Sequence, residues 1–457
     1  MNKKRSAFSG KIGYVLSAAG ASVGLGNIWR FPYLAAKYGG GIFLLVYIIL
    51  ALTFGYTMIV AESALGRMTR KSPVGAFRSF AKGKKVGWLS FGGWINAIIP
   101  VLIVPYYSVI GGWVVKYLFE YIRGNGSKLA EDGYFSGFIS NGGATETCFV
   151  IFCMFTLVII YAGVQNGIER VSKIMMPILI VLSVIIAIYS VTRPGAIEGV
   201  KYFLVPNVKN FSWMTVVAAM GQMFYSLSIA MGILVTFGSY MRKDTSIEDS
   251  TRNVEIFDTA IAMMAGLMII PAVFAFSGGD PDTLQAGPSL MFITIPKVFA
   301  NMGFGTAVGI LFFVLVLFAA VTSSIALTES AVSTFEDELG WGRKKATVLT
   351  GVIMIALGTL SCLGYGPLDF VKIIGMQFLD FFDFLTNSVM MPIAALMTSL
   401  LVSRVIGVDK IEEEIRHGES AFRRKKIFVI MIKYLCPIFA LIILASSVAN
   451  AFGWIAM

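Results

Sequence analysis

Eleven stretches of this chain are apolar over the roughly 20 residues needed to cross the hydrocarbon of a bilayer. They lie near 11–35, 41–66, 88–121, 147–163, 168–190, 212–240, 254–277, 290–335, 343–363, 370–403 and 427–451. Lipid offers backbone N–H and C=O groups no partner, so stretches of this length fold as helices whose hydrogen bonds are internal. The composition obeys the same constraint: 57% of the 457 residues are hydrophobic, 14% are charged and the mean hydropathy is +0.79, far from a soluble domain. The chain is read as one all-α, polytopic transmembrane domain over residues 1–457.

Two of these spans are interrupted in their middle. The first contains Gly20-Ala21-Ser22-Val23-Gly24-Leu25-Gly26-Asn27, and the sixth contains Ser226-Leu227-Ser228-Ile229-Ala230-Met231-Gly232. Backbone that leaves the helix at membrane depth survives only where it lines a cavity or is enclosed by protein. Paired breaks in two halves are the sequence pointer to the binding site of a secondary transporter. They predict a five-plus-five inverted repeat, 11–190 and 212–403, with 427–451 as an eleventh, additional helix. The first segment has no cleavage-type site behind it and runs straight into another span, so it is expected to stay in place rather than act as a removed signal. In the fifth segment Gly167 and Pro177 mark either a static kink or a turn that unwinds.

The net charge of +11 does not point to nucleic acid, because the basic residues fall in alternate loops as the positive-inside bias requires. Lys3, Lys4, Arg5 and Lys11 precede segment 1; Arg67, Arg70, Lys71, Arg78, Lys82, Lys84 and Lys85 follow segment 2. Arg242 and Lys243 follow segment 6, Arg343 to Lys345 follow segment 8, and Arg423 to Lys426 precede segment 11. With eleven alternating spans these loops share one side, which predicts a multi-pass inner (plasma) membrane protein with a cytoplasmic N-terminus and an extracytoplasmic C-terminus. Cys148, Cys153, Cys362 and Cys436 have no metal-type spacing and read as small core residues. His417, the one histidine, stands in a charged loop and reads as solvated.

Gly20-Ala21-Ser22-Val23-Gly24 also fits the hydrolase elbow pattern and the helix-packing pattern of two glycines four apart. The elbow needs a preceding strand and a histidine partner, neither of which this sequence offers. Helix packing needs an intact helix and leaves Asn27 and the matching break in segment 6 unexplained. In segment 8 the Ala319 carbonyl and the Thr322 hydroxyl lie one turn apart on one face with Ser323 beside them, a nest for a hard cation; the competing reading is back-bonding of these hydroxyls to their own helix. Asp258 lies about a turn inside segment 7, where a carboxylate costs about 2.5 kcal/mol or more unless it faces a cavity or a cation. Glu62 and Asp383 raise the same flag, while Glu336-Asp337-Glu338 reads as a solvated helix end.

Four stretches together, Gly20 to Pro32 (GASVGLGNIWRFP), Tyr38-Gly39-Gly40-Gly41, Gln222 to Ser228 (QMFYSLS) and Thr322-Ser323-Ser324, give the chain a family resemblance. It resembles the neurotransmitter:sodium symporters, and among them the bacterial amino-acid transporters of the LeuT type, from about Arg5 to segment 10. Departures are a missing twelfth segment, Phe8 where a tryptophan is usual, Ser226 for threonine, Ala230 for glycine and Asp258 for asparagine.

The resemblance implies a transporter and not an enzyme: sodium-coupled uptake of a neutral, hydrophobic or aromatic amino acid by alternating access, with a proton-coupled or exchange transporter of the same fold as runner-up. It implies one sodium held by Gly20, Val23, Ala319, Thr322 and Ser323, and a second held by Ser22, Asn27, Ser226, Asp258 and the substrate carboxylate. Leu25 and Gly26 would offer N–H groups to that carboxylate at a half-helix N-terminus, with Tyr107 closing it. The substrate side chain would meet Ile103, Tyr107, Tyr225, Ser228, Met231 and Leu327, with Ser22, Ser226 and Ser323 also in the substrate site. Arg30 and Asp383 would form the outer gate; Arg5, Ser239, Tyr240 and Asp337 the inner one. In monoamine-carrying relatives an aspartate stands at the position of Gly24, and in chloride-dependent relatives a serine stands at that of Ala262, so an amino acid and no chloride requirement are expected.

Overall fold

The computed structural model of the chain describes residues 5–81, 87–278 and 288–454; Lys3, Lys4, Lys82, Lys84 and Lys85 of the basic loops lie outside them. The first crossing segment is α1 (Lys11–Ser22) followed, after a non-helical stretch and a π-helical turn at Gly26–Arg30, by α2 (Phe31–Lys37). Then come α3 (Gly41–Thr69), α4 (Gly87–Ile122), α5 (Gly142–Tyr161) and α6 (Val164–Val191). The sixth crossing is α7 (Trp213–Ser226) and α8 (Ile233–Tyr240) on either side of a second break. The rest are α9 (Ile247–Ser277), α10 (Gly305–Leu339), α11 (Arg343–Leu363), α12 (Phe378–Ile406) and α13 (Lys425–Ala451). Among the described residues nine helices are long and apolar enough to span a membrane; with the two broken segments this is consistent with the expected eleven.

The stretch 290–335, expected as one span, is two elements. A short helix, Leu290–Ala300, ends at a turn through Asn301 to Phe304, where Phe304 takes a left-handed φ of 59°, before α10 begins. Met302, Gly303 and Phe304 are themselves apolar or neutral, so hydropathy does not register the turn. The tenth span begins at Phe378 rather than near 370. In the fifth, a π-helical turn at Val164–Glu169 precedes a helix that continues unbroken through Pro177.

The basic loops meet at one end of the bundle. Arg67, fully buried, donates to Glu414 Oε1 at 2.6 Å and to the Thr245 carbonyl at 2.6 Å, tying α3 to the loop after α8 and to the short helix Val408–Arg416. Arg343 holds Glu329 of α10 at 2.5 Å. Phe8 fills its place with edge-on contacts to Tyr14, Phe237 and Tyr240. At the middle of the bundle α10 lies along α4 and against α1, which puts both breaks, α4 and α10 around a common centre.

Candidate functional site

The first break begins where Val23 turns extended (φ −76°, ψ 97°) after Ser22. Backbone groups freed there are taken up by side chains, as burial demands. The Gly24 N–H donates to Asn27 Oδ1 (3.1 Å) and the Leu25 N–H to the Tyr107 hydroxyl (3.3 Å). The Gly26 carbonyl accepts from Gln222 (3.1 Å), and the Ala21 carbonyl from the Ser228 hydroxyl (2.9 Å), which joins the two breaks directly. In the second break Ser228, Ala230 and Gly232 all have left-handed φ (53°, 60° and 71°). The two side-chain-bearing residues pay about 1–3 kcal/mol each for that conformation, and Glu62 offsets part of it by accepting the Ala230 N–H at 2.8 Å. Ala230, the departure from glycine noted in the sequence, therefore sits where glycine is the unstrained residue.

Between the breaks lies a cavity of about 30 Å³. Of the positions expected to meet substrate, Ser22, Leu25, Gly26, Ile103, Tyr107, Tyr225, Ser228, Met231, Ser323 and Leu327 line it, joined by Ala21, Gly24 and Asn27. Ser226 does not line it; its hydroxyl points away to Asp258. At Gly24 the approach is close: a Cβ there would lie 2.7 Å from Ser323 Oγ and 3.2 Å from the Tyr107 oxygen, so a side chain would have to displace the Ser323 hydroxyl. At Gly26 a Cβ would collide with the Tyr225 ring.

Two oxygen-rich clusters flank the cavity. In one, the carbonyl oxygens of Gly20, Ala21 and Val23 all lie 3.2–3.3 Å from the Ser323 hydroxyl. The Ala21 carbonyl also accepts from Ser228, but one Ser323 hydroxyl has one proton to give, so the Gly20 and Val23 carbonyl dipoles share that single donor and make a spot of negative potential suited to a small cation. Thr322 stands beside it, but its hydroxyl also bonds the Phe318 and Ala319 carbonyls of its own helix (2.9 and 3.2 Å). In the other cluster, fully buried Asp258 accepts from Asn27 (2.8 Å) and Ser226 (2.8 Å) on one oxygen and from Tyr47 (2.8 Å) on the other. Among the described residues no lysine or arginine pairs with it. A desolvated carboxylate with neutral donors alone is poorly compensated and attracts a cation. Ser22, expected in this cluster, bonds the Ala18 carbonyl (3.1 Å), and the Asn27 oxygen is turned to the Gly24 N–H.

The four residues expected at an inner gate are in contact with one another through Arg5. Arg5 reaches Asp337 (2.5 Å), Ser239 (2.9 Å) and Ser333 (2.8 Å) and lies 5.0 Å from the centre of the Tyr240 ring; Asp337 also accepts the Ser72 N–H at 2.6 Å. Arg30 and Asp383 are not joined. Both border a vestibule of about 360 Å³, but Arg30 lies over the Tyr225 ring (5.5 Å) while Asp383 accepts from Asn387 (2.6 Å) and Tyr106 (3.2 Å). Tyr225 borders both spaces, so its ring stands between vestibule and cavity. Tyr47, Gln222 and Ser333 were not singled out as site residues by sequence; only Gln222, at the head of a quoted motif, carried a signal.

Comparison with known proteins gives a consistent result. The family model for the sodium:neurotransmitter symporter family matches residues 5–127 and 134–453. A sodium-dependent transporter of Bacillus subtilis, YhdH, of uncharacterised activity, is 36% identical over 91% of this chain and 91% of its own length. A sodium-dependent transporter of Haemophilus influenzae, likewise uncharacterised, is 32% identical over 98% of this chain and 99% of its own. Among solved structures, the crystal structure of MhsT in complex with L-phenylalanine superposes with a TM-score of 0.86 at 36% identity, covering 97% of this chain and all of that one.

Proposed function

Because the chain belongs to the sodium:neurotransmitter symporter family, and is thus a multi-pass membrane symporter rather than an enzyme, we propose that it carries a neutral, hydrophobic or aromatic amino acid into the cell with sodium by alternating access. The observation that carries the reading is the convergence of two helix breaks on one cavity whose side-chain wall, Ile103, Met231 and Leu327, is uncharged. A site without a charge at Gly24 suits a ligand that brings its own carboxylate, and Leu25, Gly26 and Tyr107 supply donors for it. Met231 is an adaptable wall that accepts rings. The bound L-phenylalanine of MhsT supports the same substrate class.

Two sodium ions fit the two clusters: one at Gly20, Val23, Ala319, Thr322 and Ser323, the other at Asp258 with Ser22, Asn27, Ser226 and the substrate carboxylate. Ligand and sodium then share the broken segments, so each favours binding of the other to the same extent. The repeats 11–190 and 212–403, the added helix 427–451, the cytoplasmic N-terminus and the extracytoplasmic C-terminus in a plasma membrane belong to the same proposal. Arg5, Ser239, Tyr240 and Asp337 close the inner side, and Arg30 with Asp383 the outer side once they approach.

The test is binding of the twenty amino acids to purified protein with and without sodium, followed by uptake into vesicles. Phenylalanine, tyrosine, tryptophan or leucine should bind in a sodium-dependent way, and tyramine and tryptamine should not. Strong selection of glutamate or lysine, or transport of tyramine equal to that of tyrosine, would overturn the pocket; sodium-independent uptake would favour proton coupling.

A further inference from the structure

The membrane-facing surface carries a groove that the transport site does not use. It is an apolar channel of about 370 Å³ between α5 and α11, walled by Val158 and Tyr161 on one side and Val348, Val352 and Ile355 on the other. Its polarity is graded along its length. At the end nearest the Arg5 cluster, Lys344 lies 5.5 Å from the centre of the Tyr161 ring, and Lys345 is exposed beside it. Among the described residues neither lysine is ion-paired, whereas the adjacent Arg343 is engaged with Glu329. Exposed Trp341 lies just before them, the type of residue that marks the headgroup level.

One turn further along, Thr347 lines the groove. It is 4% exposed, and its hydroxyl has no hydrogen-bond partner, not even the carbonyl four residues back that Thr350 uses. That hydroxyl is enclosed by protein, so Thr347 turns only apolar surface to the groove. Beyond it the lining is purely apolar as far as Ile355. From Lys344 to Ile355 the helix rises about 16 Å, close to half of a hydrocarbon core of about 30 Å.

Cationic, then apolar over the depth of one leaflet is the order of phosphate and acyl chain. We propose that the groove between α5 and α11 seats one acyl chain of an anionic glycerophospholipid, with its phosphate at Lys344 and Lys345. The site is separate from the transport cavity and holds whichever of the substrates the protein carries.

Native mass spectrometry of the detergent-purified full chain, titrated separately with dioleoyl phosphatidylglycerol and dioleoyl phosphatidylcholine, tests this. Phosphatidylglycerol should bind more tightly by about fivefold for each lysine, and Lys344→Gln with Lys345→Gln should bring the two lipids level. Val352→Trp should weaken both lipids alike while amino-acid binding stays unchanged; Val352 is exposed, so its tryptophan threatens no core packing. Equal binding of the two lipids by the unmodified protein, or a preference that survives both glutamines, overturns the phosphate seat. Lipid binding indifferent to Val352→Trp overturns the acyl seat. A dimer that Val352→Trp dissolves assigns the groove to a second copy of the chain instead.

Discussion

The two oxygen clusters beside the cavity are built from opposite chemistry. The one at Ser323 consists of carbonyl dipoles and hydroxyls with no formal charge, whereas the one at Asp258 is organised around a fully buried carboxylate. A neutral nest is tolerable without an ion, since its carbonyls keep weak partners; a buried charge is not, unless its donors and a counter-ion balance it. The Asp258 cluster should therefore respond far more steeply to loss of one group, and it is the place where sodium and substrate carboxylate would compensate each other.

The largest effect is expected from Asp258→Asn. Removing one partner from a buried charge pair costs about 3–5 kcal/mol, on the order of a 10²- to 10³-fold loss in sodium affinity. Uptake should be abolished, or become responsive to chloride as an external replacement for the lost charge. A normal sodium activation curve in this variant would remove Asp258 from the site altogether.

Tyr47→Phe comes next. Its hydroxyl is the lone described donor to Asp258 Oδ2, and hydrogen bonds to charged groups contribute about 1.5–3 kcal/mol, so sodium half-activation should rise about tenfold or more with the fold intact. At the neutral cluster, Ser323→Ala should raise it by about fivefold, the worth of one ordinary hydrogen-bonding group. Thr322→Ala should do less, because that hydroxyl already bonds its own helix. Sodium activation measured in vesicles for all three checks the order; a larger effect at Thr322 than at Tyr47 would reverse the comparison.

What the sequence disclosed follows the same physics. Spans and breaks were legible because lipid leaves the backbone no alternatives, so hydropathy and a glycine-rich interruption each carry meaning alone. Asp258 was legible because a carboxylate in a span is rarely neutral in purpose. Tyr47 was not, since a tyrosine in an apolar helix looks like any other core residue until its hydroxyl is seen on Asp258. Ser333 was hidden in the same way, one more small residue in a helix that reaches the Arg5 side chain. The turn at Asn301 to Phe304 escaped because both flanks are apolar. The separation of Arg30 from Asp383 is a matter of conformation, which residue identities do not encode.

The smallest expected effect is none at all. Ala262 lies one helical turn beyond Asp258 on α9 and is fully buried; its methyl group cannot donate the hydrogen bond that a serine there would give an anion. Asp258 already places a fixed negative charge beside Asn27, Ser226 and Tyr47, and a chloride in the same low-dielectric pocket would meet like-charge repulsion worth several kcal/mol at contact distances. Replacing chloride with gluconate should therefore leave uptake unchanged, and Ala262→Ser should not introduce a chloride requirement while Asp258 is present. The neutral cluster, lined by carbonyl oxygens, is no seat for an anion either, so a chloride requirement in the unmodified protein would mean that Asp258 does not act as the counter-charge.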